Sequence, residues 1–137
     1  MLANQYKKQH HRERVIELKR GEGKSSLAII LALESLREKD RVMLVAADEK
    51  KLDWLRNRII SIFKLIGGQC VFGKREIMVN NKHRLKLRTI EDINSPGHCF
   101  DCVIFDDCDQ ELRRSEEREL FFGLNKESEV IRIRNKA

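Results

Sequence analysis

Leu18-Lys19-Arg20-Gly21-Glu22-Gly23-Lys24-Ser25 is the stretch that decides how this chain folds. It follows a short apolar run (Val15, Ile16, Leu18) and precedes a long apolar segment from Leu27 to Leu36. A strand, a glycine-bearing turn and Gly-Lys-Ser opening a helix together make a cradle for phosphates. The turn's N–H groups and the helix N-terminus face the anion, the lysine reaches the outer phosphates, and the hydroxyl ligates Mg²⁺. The general pattern is G-x-x-x-x-G-K-[ST], and Leu18 stands where its first glycine would be. On this reading Gly21, Glu22, Gly23, Lys24, Ser25 and Ser26 hold the nucleotide phosphates. The plainer alternative is a turn and helix start that carries a lysine.

Working outward, residues 15–18 read as a first strand and 26–39 as a helix. That helix is apolar nearly all round at its start (Ala28, Ile29, Ala32, Leu33), as a helix buried against a sheet should be. Residues 41–47 form a near-continuous apolar run, the signature of an interior parallel strand. Asp48 is placed to cap a second helix over 49–66, with Leu52, Leu55, Ile59, Ile62 and Ile66 on one stripe and Gly67 just past its end. Strands at 69–72, 76–79 and 83–89 follow, the last two joined through Asn80-Asn81 as a hairpin. Residues 90–98 connect to a buried strand over 102–105, then a charged helix over 111–120 and a final strand over 130–133. Alternating strands and helices imply an α/β domain, a three-layer core with a mainly parallel sheet covered on both faces and a β-hairpin insertion. Ligands of such sheets bind beyond the carboxyl ends of the strands. The Gly21 turn and the acids at 106–107 both fall there.

Those acids form the second chemical feature. Cys102-Val103-Ile104-Phe105 drives a buried strand toward Asp106-Asp107. In a phosphate-loop ATPase the first such acid holds the Mg²⁺ shell and the second orients the attacking water. Ser25 and Asp106 are thus the expected metal partners and Asp107 the expected catalytic acid; the alternative is an acid pair capping the following helix. Arg20, beside the loop, is either a surface arginine or a cation that steadies charge on a transferring phosphoryl group. Lys82, Arg84, Lys86 and Arg88 recur with a period of two, which puts four cations on one strand face. They either track a nucleic-acid backbone or protect an edge strand from unwanted pairing. His98-Cys99-Phe100-Asp101-Cys102 offers half of a zinc site, but Cys102 opens the buried strand and Cys108 lies beyond the acids.

The chain has 137 residues, 41% hydrophobic and 36% charged, and reads as a single domain over 1–137. Its formal charge of +6 favours an anionic partner such as DNA, although acids are interleaved with the bases throughout. No apolar run reaches the roughly 20 residues needed to span a bilayer, so no membrane partner is expected. The polar, basic leader, 1–14, lacks the apolar region of a secretory signal. Four cysteines without a framework spacing fit a reducing cytoplasm. Trp54 reads as a helix-surface or core aromatic.

The order of the loop, Val42 to Ala46, Ile77-Met78-Val79-Asn80-Asn81 with Leu85-Lys86-Leu87, and Phe105-Asp106-Asp107 resembles the ATPase domain of large terminase subunits, the motors that package DNA into viral capsids. The phosphate loops of that family often lack the first glycine and carry an arginine three residues before Gly-Lys-Ser/Thr, where Arg20 stands. The resemblance implies a P-loop fold, ATP and Mg²⁺ as ligands, DNA and a larger or homo-oligomeric motor as partners, and the host cytoplasm as setting. Four departures accompany it. Asp107 stands where glutamate is usual. The strand after the acids normally ends in serine or threonine, and Val130-Ile131-Arg132-Ile133-Arg134-Asn135 offers none. The adenine-contacting segment expected upstream has only Gln5 and Gln9 as candidates, and no stretch of these 137 residues is expected to form a nuclease domain. The stretch Glu17 to Leu27 with Asp106-Asp107-Cys108-Asp109 is also similar to superfamily 2 helicases and the protein-translocation motor. A non-catalytic relic that binds DNA or a motor subunit is the reading from outside the enzymes.

Overall fold

An interior strand must be apolar on both faces and paired along both edges, and the runs at Val42 and Cys102 meet both demands. The computed structural model describes residues 11–93, 100–108, 110, 124 and 127–136. The elements are β1 (Arg12–Leu18), α1 (Lys24–Glu38), β2 (Arg41–Ala46), α2 (Glu49–Ile66), β3 (Cys70–Phe72), β4 (Glu76–Val79), β5 (His83–Thr89), a 3-10 turn (Ile90–Asp92), β6 (Cys102–Asp106) and β7 (Glu129–Asn135). Seven strands form one sheet in the order β1-β7-β6-β2-β5-β4-β3. β1, β7, β6, β2 and β5 run parallel, β4 pairs antiparallel with β5, and β3 pairs antiparallel with β4. The expected α/β architecture with a mainly parallel sheet and a hairpin is the one observed.

Side-chain alternation divides the core in two. Val42, Leu44, Ala46, Leu85, Leu87, Cys102, Ile104, Ile131 and Ile133 face one side. There they meet Ala28, Leu31, Ala32 and Leu36 of α1 and Leu52, Leu55 and Ile59 of α2. Met43, Val45, Val103, Phe105 and Val130 face the other side, against Ile90, Ile93, Phe100, Cys108 and Leu124. Both described helices therefore cover one face. The helix expected over 111–120 lies outside the described residues. No described helix is long and apolar enough to cross a membrane.

The hairpin forms where expected. Asn80 and Asn81 both take positive φ (54° and 57°), the primed turn that matches strand twist. Asp48 caps α2, its Oδ1 accepting from the Lys51 N–H at 2.8 Å. Two boundaries move. β1 begins at Arg12, inside the stretch read as a leader, because it pairs with β7 from Arg12↔Glu129 to Leu18↔Asn135. The Arg132 guanidinium donates to Glu13 at 2.9 Å and fixes that register. β7 extends to Asn135 by the same pairing, beyond the apolar 130–133. The stripe on α2 is also shorter than expected: Ile66, in the last turn, is 74% exposed.

Leu44 sits fully buried in β2. Leu44→Ala should cost about 2–5 kcal/mol in urea unfolding, whereas Ile66→Ala should stay within about 0.5 kcal/mol.

Candidate functional site

The loop departs from the general pattern at a position that does not turn. Leu18 is still strand, its carbonyl accepting from the Lys136 N–H at 2.7 Å. The bend comes later: Glu22 N–H donates to the Lys19 carbonyl at 3.1 Å, and the Glu22 carboxylate accepts from the Lys19 N–H. Gly21 and Gly23 hold φ of +86° and +82°, where an L side chain is strained. A Cβ at Gly21 would meet nothing within 4 Å, so backbone angle, not crowding, calls for glycine there. Gly23 is the N-cap of α1 and supplies no side-chain cap. The first helical N–H groups are left facing the cleft, as an anion site requires.

Strand alternation sets the acids. Asp106 shares the parity of Cys102 and Ile104, so its carboxylate faces α1. Ser25 Oγ donates to Asp106 Oδ2 at 2.9 Å. Asp106 is 2% exposed, and its Oδ1 is buried without a hydrogen-bond partner. Burial pushes this carboxyl above its ordinary value; the Ser25 hydrogen bond and the Lys51 charge pull it down, Asp107 raises it, and Lys24 lowers it. Asp107 turns away with φ +55°. Its carboxylate accepts from the Asn135 side-chain amide at 3.1 Å and its N–H donates to the Ile133 carbonyl at 2.8 Å. The Lys24 ammonium donates to Asn135 Oδ1. Asn135 thus links the loop lysine to the second acid.

These groups open onto a cleft of about 520 Å³ at the carboxyl edge of the sheet. Of the residues that the sequence proposes for the site, Gly21, Gly23, Lys24, Ser25, Ser26, Asp106 and Asp107 line it. Glu22 and Arg20 are exposed in the turn and do not line it. The lining also includes Ala47, Asp48, Lys51 and Trp54 from β2 and α2, which the sequence pattern does not by itself assign to the site. A signal for them exists. α2 starts directly beyond an interior strand, so residues spaced three apart from its cap (48, 51, 54) face the sheet's carboxyl edge. Asn135 has no local signal.

A hard divalent cation needs several oxygen donors and tolerates few nitrogens. Ser25 Oγ and Asp106, with one buried carboxylate oxygen unpartnered, fit Mg²⁺. Among the described residues no group of three or more His, Cys, Asp or Glu is able to share a metal. Burial holds the Cys102 thiol up, and Cys108 Sγ donates to the Val45 carbonyl at 3.4 Å. His98 and Cys99 lie outside the described residues. The cationic stripe is only partly a stripe. Lys82 sits in the hairpin turn, 3.9 Å from Asp40; Arg84 lies 3.8 Å from Glu76; Arg88 donates to the Leu87 carbonyl at 3.0 Å. β5 lies between β2 and β4, so it is not an edge strand.

A raised carboxyl pKa stabilises the protonated fold, and that contribution is lost as pH rises from the unfolded value, near 3.8, through the folded one. Asp106→Asn should therefore raise the urea midpoint at pH 7 in metal-free buffer. The gain should vanish below the unfolded value; an equal gain at all pH would refute the burial argument.

No family model matches the sequence, and no curated protein matches it. Among solved structures, the chain is similar to the large terminase from a thermophilic bacteriophage, with a TM-score of 0.57 and 11% identity. The match covers 93% of this chain and 34% of the terminase. It is also similar to a chain of the bacteriophage Phi-29 viral genome packaging motor assembly, with a TM-score of 0.55 and 12% identity over 97% of this chain and 45% of that one. The chain thus spans less than half of either. At such identities the likeness is one of fold, and it bears out the resemblance to large terminases at that level.

Proposed function

We propose that this domain binds Mg²⁺–ATP in the cleft and hydrolyses it as the P-loop core of a viral DNA-packaging type of motor, working in the host cytoplasm within a larger assembly. The observation that carries the reading is the Ser25–Asp106 pair at 2.9 Å, set at an uncapped helix N-terminus with one buried carboxylate oxygen still free. Gly21 and Gly23 bring the backbone to the phosphates, Lys24 leaves Asn135 to meet the outer phosphates, and Ser25 and Asp106 hold the metal. Bound Mg²⁺ supplies charge neutralisation and orientation of the phosphate oxygens. Asp107, held by Asn135, orients the water. Arg20 is exposed and outside the cleft lining, a placement that favours a role across a subunit interface over one within its own cleft. The shared fold with packaging proteins supports the motor setting.

The same reading extends to nucleic acid. Edge protection does not account for cations on β5, an interior strand. Arg41, Arg84 and Lys86 line a hollow of about 150 Å³ with Phe100 on the face away from α1 and α2. This face, with Lys82 and Arg88 flanking it, contacts the phosphate backbone.

Calorimetric titration with Mg²⁺–ATP should give micromolar binding, abolished in Lys24→Ala. Absence of binding by the unmutated protein would overturn the reading. Asp107→Ala should keep binding and lose turnover, and no turnover by the parent with or without DNA would point to the relic. For DNA, log K against log salt should be steep, and Arg84→Gln with Lys86→Gln should reduce the slope by about 1.8. A flat slope would return these cations to solvent.

A further inference from the structure

Lys51 and Trp54 belong to neither the phosphate loop nor the acidic strand, yet both line the cleft. They stand one turn apart at the start of α2. Lys51 Nζ lies 5.5 Å from the Trp54 ring centroid, and the Arg58 guanidinium lies 5.5 Å from the same ring. The indole is 43% exposed. An indole flanked by two cations keeps its ring orientation and in turn restricts the lysine that rests on it.

The sheet order gives this wall its meaning. Along the carboxyl edge come the loop after β1, Asn135 at the end of β7, the acids of β6, and then Ala47 and Asp48 beyond β2. A polyphosphate seated on the α1 N-terminus and extended toward the acids brings its outermost group beside α2. Lys24 reaches that group from the side where Asn135 ends β7, so the opposite side is left to α2.

We propose that Lys51, braced on Trp54, binds the terminal phosphate of a nucleoside triphosphate from the wall opposite the loop and makes the cleft favour triphosphate over diphosphate. The proposal rests on the nucleotide-binding reading of this cleft. Lys51 is a binding residue here: its cation meets an oxygen present in the triphosphate and missing from the diphosphate. A charge-assisted contact of this kind is strong only when its partner is present.

The test uses calorimetry with Mg²⁺–ATP and Mg²⁺–ADP on the intact protein, Lys51→Gln and Lys51→Arg, alongside emission from Trp54, the chain's single tryptophan. Lys51→Gln should weaken ATP about tenfold and ADP less than about twofold, and Lys51→Arg should recover most of the loss. Emission of the unmutated protein should change on ATP addition with the calorimetric midpoint. Unchanged ATP affinity in Lys51→Gln, equal loss for both nucleotides, or emission indifferent to bound ATP would overturn the role of α2 while leaving the nucleotide site intact. A parent protein that binds neither nucleotide would overturn both, and it is told apart by the absence of binding heat before any substitution is made.

Discussion

Parallel pairing of β7 with β1 on one side and β6 on the other is the constraint on which the site depends. Strands in a ladder lie about 4.8 Å apart, so one intervening strand separates the loop from the acids by roughly twice that. The chain closes this gap by sending α1 back across the sheet to β6 and β2. Ser25, in its first turn, then reaches Asp106. The separation is fixed by backbone hydrogen bonds and the closure by apolar packing of α1, so the geometry of the cleft follows from the core. Asn135 occupies the width of the intervening strand and joins the two sides.

Burial within that closure has an electrostatic result. Asp106 is almost wholly shielded from water, and one of its oxygens has no donor. A carboxylate in that condition is poorly solvated, and a divalent cation is the partner that compensates it most fully. Lys51 and Lys24 draw this carboxyl back down, yet burial outweighs both.

Much of this is legible in the sequence because it is local. The run from Val42 to Ala46, the Asn80-Asn81 turn, the Asp48 cap and the loop glycines each encode their structure within a few residues. What escapes reading is set by pairing across the chain. Arg12 to Arg14 are polar and look like a tail until β7 pairs with them. Asn135 carries no motif and gains its role from where β7 ends. Lys51 and Trp54 look like an ordinary helix face until the sheet order puts that face over the cleft. The cations of β5 resemble edge protection until β4 and β3 are seen to cover that edge.

The left-handed backbone at Asp107 has a consequence for anyone reshaping this site. Short side chains that can bond to their own backbone, aspartate and asparagine, tolerate that conformation, and longer ones do not. Replacing Asp107 by glutamate would cost about 1 kcal/mol of backbone strain before any chemistry changed. The short acid here is therefore matched to its own peptide geometry, and lengthening it would set reach toward the cleft against backbone ease.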